Sequence, residues 1–338
     1  MLYLGIDTSN YKTSMASVDE SGSIVSDISE YLDVPEGQRG LRQSDAFFKH
    51  SNRLPELLSI LLKDTDRADI AAIGVSDKPR NIEGSYMPCF MAGVNLAKLL
   101  SETLQVPMHC FSHQEGHAAS VLEYENSSDN SEPCILMHLS GGTSEILLCE
   151  KTDGGYELEI VGGTKDISFG QLLDRFGVAL GFPFPSGMYI DEAASSYKHE
   201  VKCESFGRIA SKDAYFNLSG TEKQLMDYSE EFIKKYGKTH LNKDLSSDAY
   251  QELAAASHEI MDKIGDLLIK CIEQLKEKYT FKRIVLAGGV ASSNTIREML
   301  GRKTSGREYN IEFGLPKLSG DNAVGIALLT ERIQRLSK

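Results

Sequence analysis

The residues best suited to do chemistry in this chain are two histidines four positions apart, His113 and His117. On a helix, residues at i and i+4 project from the same face, so two imidazoles with this spacing can bind one metal ion. A zinc-protease motif needs a glutamate directly after the first histidine, and Gln114 stands there instead. Glu115 would point roughly 200° round the helix from His113, a poor position for a general base at the same metal. The spacing indicates either a metal site of another kind or two helix histidines that meet solvent or a carbonyl group.

Glycine, serine and threonine follow three predicted strands of the chain. Residues 2–18 form a predicted strand, a polar turn and a returning strand, and residues 133–149 repeat this plan. A third strand, 284–290, ends in a Gly-Gly turn, and a helix predicted to begin near Thr295 would offer its N-terminus to an anion. Because such turns leave backbone N–H groups and hydroxyls free for phosphate oxygens, the pattern predicts a duplicated α/β domain with a nucleotide in a cleft. The alternative is that these turns only join strands.

The length of the chain and the spacing of its apolar residues predict its domain organisation. A chain of 338 residues exceeds the size at which one hydrophobic core usually stops growing, so two lobes are expected. We expect an N-terminal lobe of residues 1–130 with 321–338, which carries both histidines, and a C-terminal lobe of residues 131–320, which carries the Gly-Gly turns. Apolar periodicity predicts helices over residues 45–63, 87–104, 250–277 and 323–336.

Composition limits the class of protein. The hydrophobic fraction of 41% and the charged fraction of 25% are those of ordinary globular proteins. No apolar stretch reaches the roughly 18 residues of a membrane span, and the chain begins with a strand rather than a signal peptide. Six cysteines have no CxxC spacing, which fits a reduced compartment. We therefore expect a cytoplasmic protein without membrane contact.

The net charge of −13 argues against strong binding of nucleic acid by this chain alone. Affinity for a phosphate backbone comes from clustered lysine and arginine, and an acidic field repels a polyanion. A nucleic-acid substrate would therefore require a local basic patch or a partner protein.

Seven short motifs, taken in order along the chain, resemble the TsaD family, the tRNA threonylcarbamoyladenosine transferases once called O-sialoglycoprotein endopeptidases. The resemblance covers nearly the whole chain. It implies the two-lobed actin-like ATPase (ASKHA) fold, with duplicated RNase H-like domains and a nucleotide cleft between them. The motifs are Gly5 to Ser9, His113 to His117, Ser140 to Gly142, Asp166 to Asp174, Phe216 to Gly220, Ala287 to Val290 and Gly320 to Ala323.

The resemblance also implies a metal site. The family binds one divalent metal through the two histidines of HxxxH and an aspartate before asparagine, which match His113, His117 and Asp321. Two imidazoles and one carboxylate leave coordination positions open and suit iron, zinc or manganese. In the family, the metal holds the phosphate of an adenylate-activated threonylcarbamoyl group, the tRNA adenosine attacks the carbonyl, and AMP leaves. The alternative for Asp321 is an N-cap of the final helix.

The resemblance further implies an adenine nucleotide, which is ATP, AMP or an acyl-adenylate. Some positions depart from the family's pattern: Thr143 replaces a histidine or asparagine, Ile167 replaces a carboxylate expected at the ribose, and Ser293 replaces an asparagine. The residues expected to bind the nucleotide are Thr8, Ser9, Ser140, Gly141, Gly142, Thr143, Asp166, Gly170, Asp174, Gly187, Asp191, Gly288, Gly289, Ser293 and Asn294.

The first turn departs most from the family, at positions expected near the reacting acyl group. The family carries Cys-Asp-Glu there, and this chain has Asn10, Tyr11 and Lys12. A lysine inverts the local charge, so it can bind a phosphate or a carboxylate but is a poor base at neutral pH. With Arg39 and Arg42, Lys12 forms a predicted anion pocket, and these three are the catalytic candidates. The alternative is that they are solvated loop charges.

Two functions compete on this evidence. The first is a transferase that moves a carbamoyl-type group from an adenylate to tRNA adenosine or to another acceptor. The second is a nucleotide-binding partner or regulatory paralogue without turnover; the intact metal residues argue against it, and Lys12 argues for it. A metalloprotease is disfavoured by Gln114. For a reaction on tRNA we expect partner proteins, such as the family's small companion of similar fold and its ATPase. The chain is also expected to form a homodimer, or a heterodimer with the companion of similar fold.

Overall fold

The computed structural model describes residues 1–9, 11–33, 41–63, 65–123, 132–198, 203–238 and 248–337. Within these ranges no helix is both long enough and apolar enough to cross a membrane. The strands are β1 Leu2–Asp7, β2 Lys12–Asp19, β3 Ile24–Tyr31, β4 Ile70–Lys78, β5 Met108–Ser112, β6 Cys134–Leu139, β7 Ser144–Lys151, β8 Tyr156–Thr164, β9 Ser211–Lys212, β10 Tyr215–Phe216, β11 Arg283–Ala287 and β12 Asn310–Phe313. The helices are α1 Gln43–Leu61, α2 Phe90–Leu104, α3 His113–Leu122, α4 Phe169–Leu180, α5 Gly187–Ser195, α6 Ser219–Tyr236, α7 Asp248–Lys276, α8 Asn294–Thr304 and α9 Val324–Leu336.

Contacts divide the chain into two compact units. The first contains Met1–Glu132, Cys149–Leu158 and Lys317–Lys338, and the second contains Pro133–Leu148 and Glu159–Pro316. The final helix α9 therefore packs with the N-terminal elements, although the whole second unit precedes it in the chain. Each unit buries its own hydrophobic core.

The first unit contains a five-stranded sheet of order β3-β2-β1-β4-β5. Strands β1, β2 and β3 pair antiparallel, while β1, β4 and β5 run parallel. Apolar residues of β1 and β4 pack on one face against α1 and α2, in a core that includes Leu4, Ile6 and Leu54. On the other face Tyr3 packs with α9. Strand β1 is buried on both faces, as expected for the centre of a covered sheet.

The second unit contributes to a seven-stranded sheet of order β12-β11-β6-β7-β8-β10-β9. The run β8-β7-β6-β11-β12 repeats the chain order of the first sheet, in which the third, second, first, fourth and fifth strands follow one another. This repeated order confirms the predicted duplicated α/β fold. The predicted helices at 45–63, 87–104, 250–277 and 323–336 correspond to α1, α2, α7 and α9, and each boundary moves by at most three residues.

Glycines allow α9 to approach α3 and β1 closely. A Cβ atom added to Gly325 would lie far inside van der Waals contact of the carbonyl oxygen of Gly116 on α3. A Cβ on Gly5 of β1 would collide in the same way with the backbone of Ala323. Only residues without side chains permit these separations, since packed interiors have no spare volume. The N-terminal end of α9 is therefore held against the start of α3.

The far end of the same helix pair is held by a buried ion pair. Arg332 of α9 lies 2.9 Å from Glu123, which caps the C-terminus of α3, and the Arg332 side chain is only 8% exposed. The guanidinium also donates to the carbonyl oxygens of Gly155 and Thr152 in the turn between β7 and β8. A buried charge with this many partners is satisfied, and removal of one partner would be costly.

Gly325→Ala is expected to lower the free energy of unfolding by roughly 1–3 kcal/mol, because the new methyl group must push α9 away from α3. The matched control is Gly301→Ala, in the interior of α8, where an added Cβ meets nothing within 4 Å. That control should instead gain about 0.5–1 kcal/mol of stability from helix propensity. Urea unfolding followed by circular dichroism measures both changes. Equal effects of the two substitutions would contradict the close packing of α3 and α9.

Candidate functional site

A capping box starts α3 and fixes the directions of both histidines. The Ser112 hydroxyl accepts from the backbone N–H of Glu115 at 3.2 Å, and the Glu115 carboxylate accepts from the backbone N–H and the hydroxyl of Ser112 at 2.8 and 2.7 Å. This reciprocal pair satisfies two of the unpaired N–H groups of the first turn. Glu115 is therefore used to start the helix. His113 is the first residue of α3 and His117 lies one turn later, with ring centroids 4.3 Å apart.

The side chain of Asp321 faces the two histidines from the turn before α9. One carboxylate oxygen, Oδ1, lies 3.2 Å from Nε2 of His117 and 3.6 Å from Nε2 of His113. The N-cap position of α9 is Ala323, and the side-chain oxygen of Asn322 accepts from the backbone N–H of Val324 at 2.9 Å. Asp321 is thus not engaged as the N-cap of α9, and its carboxylate is directed at the imidazoles.

Asp7, which the sequence analysis did not single out, orients His113 from behind. It ends β1, its side chain is completely buried, and its Oδ1 lies 3.0 Å from Nδ1 of His113. The hydroxyls of Ser9 and Ser76 donate to the same carboxylate. A carboxylate on the second nitrogen of a ligating histidine fixes its tautomer and raises its basicity. One sequence signal could have identified Asp7: it is a carboxylate at the end of an apolar strand. A charge buried in such a place needs a partner, so a nearby cationic or donor group could have been expected.

The donor set fits one divalent cation. The ligand atoms of His113, His117 and Asp321 all lie within 4.8 Å of one another. Bonds of about 2.0–2.2 Å to a common ion would place such donors roughly 3.3 Å apart, close to the two measured separations. The three side chains are 20%, 11% and 32% exposed, so one side of the set is open to an incoming ligand. Nitrogen and carboxylate donors suit zinc, iron and manganese alike.

Mutual attraction keeps the carboxylates of this cluster ionised. Burial alone lowers the pKa of His113, but the carboxylates of Asp7 and Asp321 outweigh it and raise the pKa to about 10. Burial raises the pKa of Asp321, yet its hydrogen bonds with the two histidines bring the pKa far below the usual value. The pKa of Asp7 is also lowered, because the His113 imidazole and two serine hydroxyls outweigh its burial. Both carboxylates are therefore charged at neutral pH.

The predicted residues of the first turn have different environments. The Lys12 ammonium donates to the backbone carbonyl of Asp321 at 2.8 Å, which places it beside the histidines. Thr8 is fully buried, and its hydroxyl contacts the backbone at the start of α2. Ser9 is also buried and donates to Asp7. The two hydroxyls therefore make hydrogen bonds inside the first unit, and that of Ser9 helps to hold the carboxylate behind His113.

The predicted anion pocket is only partly described. Arg42 is exposed at the N-cap of α1, where its carbonyl accepts the first helical hydrogen bonds. Arg39 lies outside the described residues. Within the described residues, the Lys12 ammonium donates to Asp321 and not to any group of Arg42. The pocket of Lys12, Arg39 and Arg42 therefore stays a prediction.

A cavity of about 390 Å³ lies in the second unit, within the usual range of small-molecule sites. Its apolar wall combines side chains from α4, the connection to α5, α5 itself, α7 and the turn after β11, namely Leu173, Pro185, Met188, Met261 and Val290. Such a wall can take the flat face of a nucleobase. Seven of the residues expected to bind nucleotide also line the cavity: Gly141, Gly170, Asp174, Gly187, Asp191, Gly289 and Ser293.

The Ser140–Thr143 turn forms one edge of this cavity. Thr143 donates its N–H to the Ser140 hydroxyl at 3.0 Å, and Ser140 donates its N–H to the Thr143 carbonyl at 2.7 Å. Gly141 and Gly142 are exposed, with open space where a Cβ would be. Gly170 at the start of α4 lets that helix touch the turn, since a Cβ there would collide with Gly141. The turn thus presents backbone to a ligand, as a phosphate site requires.

Three predicted carboxylates are engaged at helix N-termini within the second unit. Asp174 accepts from the N–H groups of Ser186 and Gly187 at the start of α5. Asp191 accepts from the Ser293 hydroxyl and from the N–H groups of Asn294 and Thr295 at the start of α8. The predicted anion site at that N-terminus is therefore occupied by the protein's own carboxylate. Asp166 accepts in the same way from Leu218 and Ser219 at α6. Buried Gly288 permits close contact with Leu139.

The family model and the relatives that match this chain carry the same description. The family model described as TsaD, tRNA N6-adenosine threonylcarbamoyltransferase, matches residues 28–328. The tRNA N6-adenosine threonylcarbamoyltransferase of Caldicellulosiruptor saccharolyticus is 28% identical over 97% of this chain and 91% of its own length. The Methanopyrus kandleri protein of the same name is 26% identical over 97% of this chain and 86% of its own length.

Solved structures with the same fold are more distant in sequence. HypF of T. kodakarensis superposes with a TM-score of 0.57 at 12% identity, over 99% of this chain and 48% of its own. Component A of the Acidaminococcus fermentans (R)-2-hydroxyglutaryl-CoA dehydratase superposes with a TM-score of 0.51 at 15% identity, over the whole of both chains. These likenesses show the fold, and they confirm the predicted actin-like ASKHA architecture.

Asp7→Asn is expected to weaken zinc binding by roughly 10- to 100-fold, because an amide supports His113 less well than a carboxylate does. Competition with a chromophoric chelator measures the affinity. The matched control is Asp69→Asn, an exposed carboxylate of the same unit, which should leave the affinity unchanged. Equal zinc affinities for Asp7→Asn and the unsubstituted chain would contradict a role of Asp7 in supporting His113.

Asp166→Asn is expected to destabilise the protein near neutral pH but not in acid. Hydrogen bonds from Ser219, Leu218 and Ile167 outweigh the effect of burial and lower the pKa of Asp166 below its ordinary value of 3.8. A lowered pKa means that the charged carboxylate stabilises the fold above pH 3.8, and that this contribution is lost as the pH falls below it. The difference between the urea midpoints of the two proteins should therefore shrink on acidification. Glu298→Gln on the surface of α8 is the control; a pH-independent difference for Asp166→Asn would count against its capping role.

Proposed function

Because the chain belongs to the TsaD family of tRNA N6-adenosine threonylcarbamoyltransferases, we propose that it is a transferase that moves a carbamoyl-type group from an adenylate to an acceptor. The observation that carries this proposal is the convergence of His113, His117 and Asp321, with Asp7 behind His113. A scaffold or regulatory protein would gain nothing from an open donor set that is supported from behind by a buried carboxylate.

The residues of the first unit are assigned to a metal ion and to the phosphate and carbonyl oxygens that it would bind. A divalent ion on His113, His117 and Asp321 would supply a Lewis acid and a template for phosphate oxygens. The capping box of α3 keeps both imidazoles on one face, and Asp7 holds the proton on Nδ1 of His113 so that Nε2 can ligate. The open side of the set is where the phosphate and the neighbouring carbonyl would bind.

The cavity of the second unit is assigned to an adenine nucleotide. The apolar wall that includes Met188 and Met261 would contact the adenine base, and the exposed backbone of Gly141 and Gly142 would face the phosphate. Asp174 and Asp191 line the same cavity and carry acceptor oxygens suited to ribose hydroxyls. ATP, AMP and an acyl-adenylate share these groups, so all three are proposed ligands.

The acceptor proposed first is the adenosine of tRNA, as the names of the relatives indicate. Because the net charge is −13, we expect a partner protein or a local basic patch to support tRNA binding. The second candidate is a paralogue that binds the adenylate without transfer to tRNA. Lys12 favours it, because the family carries a carboxylate at this position and the ammonium here is bonded to Asp321.

The test is transfer from threonylcarbamoyl adenylate to a tRNA transcript, read by mass analysis of the nucleosides and by release of AMP. The unsubstituted protein, loaded with metal and supplied with the companion proteins, should form modified adenosine. His117→Ala should reduce AMP release about 100-fold or more by loss of a ligand. His109→Ala is the matched control, because His109 lies on β5 and contacts Gln334 instead.

The outcomes separate the two candidates. Release of AMP that depends on His117, without modified adenosine, would move the acceptor away from tRNA. Binding of the adenylate with neither product would contradict the transferase proposal and support the binding paralogue.

A further inference from the structure

Lys12 lies beside the candidate metal centre in a defined position. It is the first residue of β2, directly opposite Tyr31 of β3, and its ammonium lies 5.2 Å from the centre of the Tyr31 ring. The same ammonium donates to the backbone carbonyl of Asp321 at 2.8 Å. The aromatic ring and the carbonyl together hold the cation toward the turn that supplies the third metal ligand.

The Lys12 ammonium retains the capacity to bind a ligand. A lysine carries three N–H donors, and the described part of the chain engages one of them, at the Asp321 carbonyl. Lys12 is only partly buried, so the other donors can reach an incoming group. The ammonium lies near the donor set, because Asp321 supplies both the carbonyl that Lys12 contacts and the carboxylate that faces the histidines.

The charge around the centre favours an anion. The carboxylates of Asp7 and Asp321 would balance a divalent ion on neutral histidines, which leaves the charge of Lys12 in excess. A carboxylate at position 12, as in the family's pattern, would make the same centre negative. The substitution therefore changes which ligands the open side attracts, since like charges at this range repel and opposite charges attract.

A buried hydroxyl on the same sheet face also lacks a partner. Ser14 stands directly opposite Asp7 in the β1–β2 ladder, and alternation puts its side chain on the same face as that of Lys12. Ser14 is completely buried, and its hydroxyl finds no hydrogen-bond partner within the described residues. A spare donor next to Asp7 and Lys12 suits a site that receives a polar group from outside the chain.

We propose that Lys12 is a specificity-determining residue that binds an oxyanion, either a carboxylate or a phosphate oxygen, of a donor held at the His113–His117–Asp321 centre. The inference rests on the proposed metal centre and deepens it, because it requires a donor with a negative group next to the metal-bound oxygen. The group is recognised by a charge-assisted hydrogen bond from the ammonium. Lys12 is thus assigned a direct contact with the ligand in addition to its bond with Asp321.

The test uses Co²⁺ as the metal, because its visible spectrum reports both binding and changes of ligand. The full chain is first titrated with Co²⁺ and then with inorganic phosphate or, in a separate arm, with acetate. Lys12→Met removes the charge and keeps the length of the side chain, while Lys12→Arg keeps the charge. Tyr31→Phe is the matched control in the neighbouring strand, since it keeps the ring beneath the ammonium.

The expected result is Co²⁺ affinity within about threefold of the unsubstituted chain for every variant, with anion affinity weakened about tenfold or more only in Lys12→Met. Preference for acetate or for phosphate then identifies the oxyanion. Anion affinity that Lys12→Met leaves unchanged would overturn the proposal. Loss of Co²⁺ in both Lys12 variants would also overturn it, because Lys12 would then only support Asp321. Absence of Co²⁺ binding by the unsubstituted chain would instead refute the metal centre of the proposed function.

Discussion

The close approach of α9 to α3 and β1 is the constraint on which the candidate metal centre depends. Asp321 precedes α9, so its distance from the two histidines is set by how deeply α9 sits against its neighbours. Gly5 and Gly325 permit that depth, and the Arg332–Glu123 pair holds the opposite end of the helix. A shift of one ångström along this interface would separate ligands whose measured spacing is 3.2–3.6 Å. The close packing at Gly5 and Gly325 therefore sets the distances between Asp321 and the two histidines.

In the second unit, carboxylates bind helix N-termini, whereas in the first unit Asp7 and Asp321 contact histidines. The carboxylates at positions 166, 174 and 191 satisfy the N–H groups at the starts of three helices, so these dipoles are already compensated from within. What stays open is backbone at Gly141, Gly142 and Gly289, together with an apolar wall. A ligand in this cavity would therefore meet exposed backbone, methionine, leucine or proline side chains, and two carboxylates that are already oriented.

Much of this architecture follows from local sequence patterns. The strands within residues 2–18, 133–149 and 284–290, four helices and the duplicated α/β plan could be predicted, because burial imposes periods of two and 3.6 on apolar residues. The strands β4, β5, β8 and β12 were not predicted. Asp7 could not be recognised as the partner of His113, since the contact joins residues far apart in the chain and depends on the pairing of β1 with β4. The occupied N-terminus of α8 escaped prediction for the same reason: Asp191 lies on α5, about a hundred residues earlier. Glycine-rich turns predict exposed backbone, but they do not reveal which helix ends the protein caps for itself.

The contribution of α9 to the first unit has a consequence for biosynthesis. Asp321 is separated from His117 by 204 positions, and the entire second unit is made between them. During translation one face of the first sheet stays uncovered, and Asp321 cannot reach the two histidines, until Lys317–Lys338 has been made. The second unit, by contrast, is complete before α9 is synthesised and can fold first. The order of translation therefore keeps His113, His117 and Asp321 apart in a nascent chain until the second unit has been made.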